Sequence, residues 1–143
     1  ASCDLAYASS SAKFATPGVN IGLFCSTPMV AISRNLSNKH SMEMLLTGEL
    51  ISSDKAAKIG LINDVIETNK LKDFTLDKAQ KISKKSSVTL KIGKEAFYKQ
   101  LDMKLPDAYD YASKVMVQNM LKLDAKEGID AFIDKREPSW KDK

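Results

Sequence analysis

The sequence holds one histidine, His40, and two cysteines, Cys3 and Cys25. That scarcity excludes much chemistry. A metal centre built from His and Cys ligands needs more partners than these separated residues supply. A Ser-His-Asp triad would have to recruit His40, and no G-x-S-x-G elbow is present to carry its nucleophile. Two cysteines make no disulfide framework, which fits a reducing compartment. No apolar run approaches the roughly 18 residues of a helical membrane span. The six glycines form neither G-x-G-x-x-G nor a P-loop, so nucleotide-fold readings fail. The few aromatics follow no RNA-binding pattern and no helix-turn-helix spacing is found, so nucleic acid is not an expected partner. There is also no initiator Met. Ala1-Ser2-Cys3-Asp4 enters mid-pattern, and a fragment or processed chain is expected, from which a targeting segment would already be gone.

What is present can build a core: 43% of the 143 residues are apolar, so an ordered chain is expected. The net charge is only +4. Its lysines concentrate between Lys70 and Lys99, where they read as solvated helix faces.

The chain changes character once. Up to about residue 25 it is β-like and rich in small residues; beyond that it reads as helices. Leu5 to Ala8 reads as the end of a buried strand, followed by a Ser9-Ser10-Ser11 turn and a short extended piece from Ala12 to Ala15. Pro17-Gly18 signals a turn. Thr27 at N-cap and Pro28 at N1 predict a helix to about Arg34. A second helix, Lys39 to Leu46, would present Met42, Leu45 and Leu46 as one apolar face and stop near Gly48. Ser52 or Ser53 caps a third, Asp54 to Lys58, stopped by Gly60. Leu61 to Ile66 predicts a strand. Longer helices are expected at Lys70 to Lys84, Val88 to Leu101, Pro106 to Leu123 and Ala125 to Arg136, with Pro138 beyond the last. Leu71, Phe74, Ala79 and Ile82 would face inward on the first of these. The Met and Tyr spacing of the helix from Pro106 marks core or subunit contact rather than cofactor chemistry.

One stretch is free of charge throughout: Phe14-Ala15-Thr16-Pro17-Gly18-Val19-Asn20-Ile21-Gly22-Leu23-Phe24-Cys25-Ser26-Thr27-Pro28. Uncharged, glycine-punctuated segments that deliver the chain to a helix N-terminus often line pockets. Ser26, Thr27 and the first-turn amides can face a polar or anionic group, which suits thioester carbonyl chemistry. Cys25 sits where a thiol is activated, but with no base partner visible, apolar packing is its favoured role. His40, beside Glu43, reads as a solvent-facing helix residue.

The order of several motifs resembles the crotonase (enoyl-CoA hydratase/isomerase) superfamily. They are Cys3-Asp4-Leu5-Ala6-Tyr7-Ala8, Ala12-Lys13-Phe14 and Pro17-Gly18-Val19-Asn20-Ile21-Gly22. Further along come Met42-Glu43-Met44 with Thr47-Gly48 and Ile51-Ser52, then Ala56 with Gly60-Leu61-Ile62 and Val65. The tail, Glu127-Gly128 with Ala131-Phe132 and Lys135-Arg136, matches the family's ending.

The resemblance implies an α/β fold: the C-terminal part of a spiral of ββα units, followed by a helical trimerisation region. On that reading residues 1–36 end the spiral core and carry the acyl-pocket loop, and 37–143 form the oligomerisation region. The oxyanion hole and the first of two catalytic glutamates would lie upstream of Ala1. Acyl-CoA or enoyl-CoA is the implied substrate or ligand, with no other cofactor and no metal. A homotrimer or dimer of trimers, in mitochondrial fatty-acid metabolism, is the implied setting, with a transit peptide upstream.

The acyl-CoA pocket residues implied are Pro17, Gly18, Gly22, Phe24, Cys25, Ser26 and Thr27. In hydratases the second glutamate directly follows the proline of F-x-x-P-E; here Phe14-Ala15-Thr16-Pro17 is followed by Gly18, which has no group to move a proton. No catalytic residue is therefore assigned. Asp4 matches an aspartate common to members of many activities and is read as structural. Lys135 matches a lysine that approaches the CoA phosphates, with Phe132 packing nearby; a lysine favoured by the helix macrodipole is the alternative. The expectation is a hydratase-like acyl-CoA protein with weak or altered catalysis, or alternatively a non-catalytic binding or regulatory subunit.

Overall fold

The computed structural model describes residues 1–142. They form two packed units, Ala1–Asp77 and a second from Lys78 onward. In chain order the first unit holds strands β1 (Tyr7–Ser9) and β2 (Lys13–Phe14), a 3₁₀ turn (Pro17–Ile21), and helices α1 (Ser26–Asn35) and α2 (Asn38–Thr47). Strand β3 (Ile51–Ser52), helix α3 (Ser53–Lys58), strand β4 (Asp64–Ile66) and the start of helix α4 (Leu71–Ser83) follow. Among the described residues no helix is long and apolar enough to cross a membrane.

Strand β1 runs parallel to β4, with Tyr7, Ala8 and Ser9 opposite Asp64, Val65 and Ile66. A parallel pair cannot be closed by a hairpin, so the intervening chain crosses over through α1, α2 and α3. Just before the strands, Asn63 accepts the Ala6 amide on its side-chain oxygen and donates its own amide to the Ala6 carbonyl, both at 2.7 Å. Strand β2 pairs antiparallel with β3, Phe14 opposite Ile51. Ala8 of β1, Ala56 of α3 and Ile62 form one buried cluster. The buried Ser53 hydroxyl donates to the Ser10 carbonyl at 3.1 Å. A second cluster of Ile32, Leu36 and Met44 joins α1 to α2.

The helix signals read from the sequence hold at several ends. Gly48 stops α2 at φ 61°, and at the other end Ser37, not among those signals, caps the helix by accepting the His40 amide. Ser52 caps α3 by accepting the Lys55 amide. The inward face of α2 differs from expectation. Ser41, Met44 and Leu45 are buried, whereas Met42 and Leu46 are exposed. Positions 41, 44 and 45 share one side at helical spacing, and Ser41 is tolerated inside because its hydroxyl donates to the Ser37 carbonyl. In α4, Leu71 and Phe74 are half-buried but Ala79 and Ile82 are exposed. Phe74 meets Tyr7 edge-on, with ring centroids 5.2 Å apart.

The second unit holds α5 (Ser87–Gln100), α6 (Leu105–Met120) and α7 (Leu123–Ile133). Helix α6 ends three residues earlier than its pattern predicts, and α7 starts and ends earlier too. Met120-Leu121-Lys122-Leu123 contains no breaker residue. The break follows from what comes next: Asp124, 1% exposed, sits at the start of α7 and accepts amides from the chain's own C-terminal segment. Ile129, Phe132 and Ile133 do share one side of α7, but that side faces outward, as do Met116 and Met120 of α6. The inward residues of these helices are small or polar: Ala108, Asp124 and Ala131.

Candidate functional site

Thr16 anchors the uncharged loop. It is buried, and its hydroxyl donates to the Met44 carbonyl of α2 at 2.7 Å. Pro17 then opens the 3₁₀ turn, its fixed φ suiting the first position. Gly22 closes the turn at φ 78°. No atom lies within 4 Å of where its Cβ would be, so the left-handed backbone, not crowding, calls for glycine there. The chain folds back as the Leu23 amide donates to the Gly18 carbonyl at 2.9 Å. Next, the Gly18 amide donates to the Cys25 Sγ at 3.3 Å. The thiol therefore ties the two ends of the loop together, as a hydrogen-bond acceptor.

Helix α1 starts at Ser26, with Cys25 rather than Thr27 at the N-cap and no side-chain cap bond. The reason is local: the Cys25 carbonyl already accepts the Met29 amide at 2.9 Å, closing the first turn two residues earlier than Thr27-Pro28 suggests. Pro28 still falls in the first turn, where its missing amide costs nothing. The Ser26 amide and hydroxyl both donate to the Phe24 carbonyl, at 2.7 and 3.3 Å. With Ser26 and Met29 engaged and Pro28 lacking an N–H, Thr27 carries the remaining amide of that turn.

The loop thus brings Pro17, Gly18, Gly22, Phe24, Cys25, Ser26 and Thr27 onto one short, cross-bonded segment of the first unit. Gly18 and Cys25 are half-buried; the other five are exposed, as are the flanking Ile21 and Leu23. The surface is apolar, with hydroxyls at one end and no carboxylate, imidazole or ammonium group of its own. At Gly18 the backbone leaves no space for a side chain. A Cβ there would lie 2.6 Å from the Leu23 carbonyl oxygen and 2.8 Å from the Cys25 Sγ.

His40 lies outside this loop, on α2. Its Nδ1 is 3.8 Å from a Glu43 carboxylate oxygen that also faces Lys55 at 3.6 Å. Among the described residues no three His, Cys, Asp or Glu side chains converge as metal ligands would.

Lys135 belongs to the second unit, just past α7. The Lys135 amide donates to the Phe132 carbonyl at 3.3 Å and the Arg136 amide to the Ala131 carbonyl at 3.0 Å. This is the paired closure of a helix C-terminus, which requires a left-handed residue. Lys135 supplies it at φ 54°. Phe132, 85% exposed, projects from the same turn.

Two carboxylates of α7 fasten the segment that follows. Glu127 holds the Arg136 guanidinium in a fork, at 2.7 and 3.1 Å, and accepts the Ser139 amide at 2.7 Å. Asp124 accepts the Lys141 and Asp142 amides, and Asp142 in turn accepts the amide and hydroxyl of Ser87 at the start of α5. Between them the Trp140 ring donates its N–H to the Lys84 carbonyl and packs over Gly128, where a Cβ would lie 3.3 Å from the ring. The sequence reading missed this clasp. Its only local signal is the unusual pairing of two acids on one helix face with a Trp-bearing tail.

The clasp has an acid sensitivity. The Arg136 fork and the Ser139 amide pull the Glu127 carboxyl from 4.5 down to about 2, and the Ser86 hydroxyl with the tail amides lowers Asp124 as well. A carboxylate whose folded value is depressed contributes stability above its unfolded value and loses it as pH falls through the folded one. The clasp is therefore expected to loosen between about pH 4.5 and 2. Trp140, the single tryptophan, should report it as a red-shifted emission, and Glu127→Gln should show much of that shift already at neutral pH.

A family model described as enoyl-CoA hydratase/isomerase matches residues 1–143. The chain belongs to the enoyl-CoA hydratase/isomerase family. A mouse relative, "Enoyl-CoA hydratase domain-containing protein 3, mitochondrial", is 51% identical over 140 residues, covering 98% of this chain and 47% of the relative. The human enoyl coenzyme A hydratase domain-containing protein 3 crystal structure superposes with TM-score 0.94 at 47% identity, over 96% of this chain and 55% of that one. An enoyl-CoA hydratase structure from Mycobacterium smegmatis gives TM-score 0.93 at 44% identity, over 96% of this chain and 54% of that one. The chain spans about half the length of the curated relatives it matches. Its α/β fold is the crotonase fold of this family, here in a mostly helical portion.

Proposed function

We propose that this chain supplies one wall of an acyl-CoA site in a hydratase/isomerase-type protein whose syn-hydration chemistry is weak or altered. The observation that carries the reading is Gly18. It stands where hydratases of the family place their second glutamate, and its surroundings admit no Cβ. General acid–base catalysis is worth roughly 10²–10⁴-fold in rate, so its loss removes efficient hydration while leaving thioester binding intact. The exposed apolar loop, with Phe24 and the Ser26 and Thr27 hydroxyls, suits an acyl chain and its carbonyl. Lys135 suits the CoA phosphates as a point charge. The exposed apolar faces of α6 and α7 fit a homotrimer or dimer of trimers. The relatives' name supports a mitochondrial setting, and family membership supports fatty-acid metabolism.

A non-catalytic acyl-CoA-binding or regulatory subunit is the second reading, favoured by the same missing acid. One experiment serves both: calorimetry and turnover with a short trans-2-enoyl-CoA, on the whole protein that carries this chain. Saturable binding is expected, with hydration roughly 10²–10⁴-fold slower than that of a glutamate-bearing relative. Hydration at the relative's rate would overturn the altered-catalysis reading. Absence of binding would overturn the acyl-CoA site itself.

A further inference from the structure

Lys135 is an uneconomical choice for its own backbone. The position closes α7 and needs φ > 0, here 54°. Glycine occupies such positions without strain; a lysine does so only where its surroundings over-determine it. What over-determines it lies on either side. Asp134 and Arg136 meet through the Arg136 Nε at 3.4 Å, and Arg136 is forked onto Glu127. Glu127 also takes the Ser139 amide, fixing the chain three residues beyond Arg136. The division of labour between the two cations is informative. Arginine is the better fork for a phosphate, yet Arg136 is engaged internally with two carboxylates. Among the described residues Lys135 has no ion-pair partner. A left-handed backbone thus carries a side chain that makes no ion pair among the described residues.

We infer that Glu127 is a positioning residue, which through Arg136 holds Lys135 in the left-handed conformation that presents its ammonium group to a phosphate-bearing ligand. The inference rests on the proposed contact between Lys135 and the CoA phosphates, and it adds the group that sets that contact up. It makes a prediction opposite to simple electrostatics. Removing the Glu127 charge leaves the corner more positive, which by itself attracts a phosphate more strongly. If Glu127 works by positioning, its removal weakens phosphate binding instead.

The test compares coenzyme A with pantetheine, which has the thiol arm but no phosphate, on the whole protein by calorimetry. Lys135→Gln is expected to weaken coenzyme A by about two- to fivefold, the range of an exposed charge pair, and to leave pantetheine unchanged. Lys135→Gly should show the same loss with a higher melting temperature, because the strain is relieved. Glu127→Gln should weaken coenzyme A severalfold, again sparing pantetheine, and adding it to Lys135→Gln should cost nothing more. Arg136→Lys breaks the fork without changing charge; it should copy Glu127→Gln, and it replaces that variant should the latter fail to fold. Coenzyme A binding unaffected by Lys135→Gln would overturn the phosphate contact itself. A loss with Lys135→Gln but none, or a gain, with Glu127→Gln and Arg136→Lys would overturn the positioning role alone. Additive losses in the double variant would overturn it too.

Discussion

Gly18→Glu is expected to lower stability by about 1–3 kcal/mol, the usual cost of overpacking, and to leave hydration unrestored. On the proposed reading of Gly18, a glutamate there resembles a repair, since it would put back the acid that hydratases carry. The geometry opposes it. Of the two atoms a new Cβ would meet, the Leu23 carbonyl oxygen at 2.6 Å is backbone and cannot rotate away. That strand of the loop is itself held by the Leu23 amide on the Gly18 carbonyl. The other atom, the Cys25 Sγ at 2.8 Å, is the acceptor for the Gly18 amide. Accommodating the side chain therefore means breaking the bonds that define the loop. Adding Cys25→Gly should recover only part of the loss, because the carbonyl contact remains. Denaturant titration and turnover with a trans-2-enoyl-CoA give the answer. A Gly18→Glu protein of unchanged stability with hydration raised by orders of magnitude would show that the loop had lost only a side chain and was otherwise built for one.

Much of this architecture was written locally. Ser52 as a cap, and Gly48 and Gly60 as stops, are one-residue signals with a mechanism, and the structure uses them as such. The motif order carried the family. What stayed hidden depends on distant partners. The 3₁₀ turn is shaped by the Leu23 and Cys25 bonds back to Gly18, which no local pattern announces. Strand β3 is two residues long and exists because Phe14 and Lys13 lie opposite it. The end of α6 cannot be found in its own helix-forming residues, since Asp124 and the amides of residues 141 and 142 decide it. Met42, Leu46, Ile129 and Phe132 misled for a related reason: apolar periodicity says which side of a helix avoids water, not whether this chain supplies the cover. The left-handed backbone of Lys135 and the Glu127 fork are visible only in three dimensions.

Leu45→Ala is expected to cost about 2–5 kcal/mol, the range for deleting a buried leucine, out of the roughly 5–15 kcal/mol that a domain has in total. Leu45 is 1% exposed, and its neighbours on α2 are held on both sides. Met44 packs with Ile32 and Leu36, and the Met44 carbonyl accepts the Thr16 hydroxyl. Rigid surroundings cannot collapse into the space left, so the cost should fall toward the upper half of that range. The consequence reaches the loop. Helix α2 ends at Gly48, so close beneath the 3₁₀ turn that a Cβ would lie 2.9 Å from Val19 Cγ2 and 3.1 Å from Asn20 Oδ1. Loosening α2 thus loosens the support of the 3₁₀ turn, and on the proposed reading of the loop as an acyl-CoA wall the whole protein's affinity for that ligand should drop along with the denaturation midpoint. A lowered midpoint with an unaltered slope would locate the change in stability. A loss under about 1 kcal/mol would mean that the site can repack, and α2 would then not be the rigid support that the Thr16 and Gly48 contacts make it.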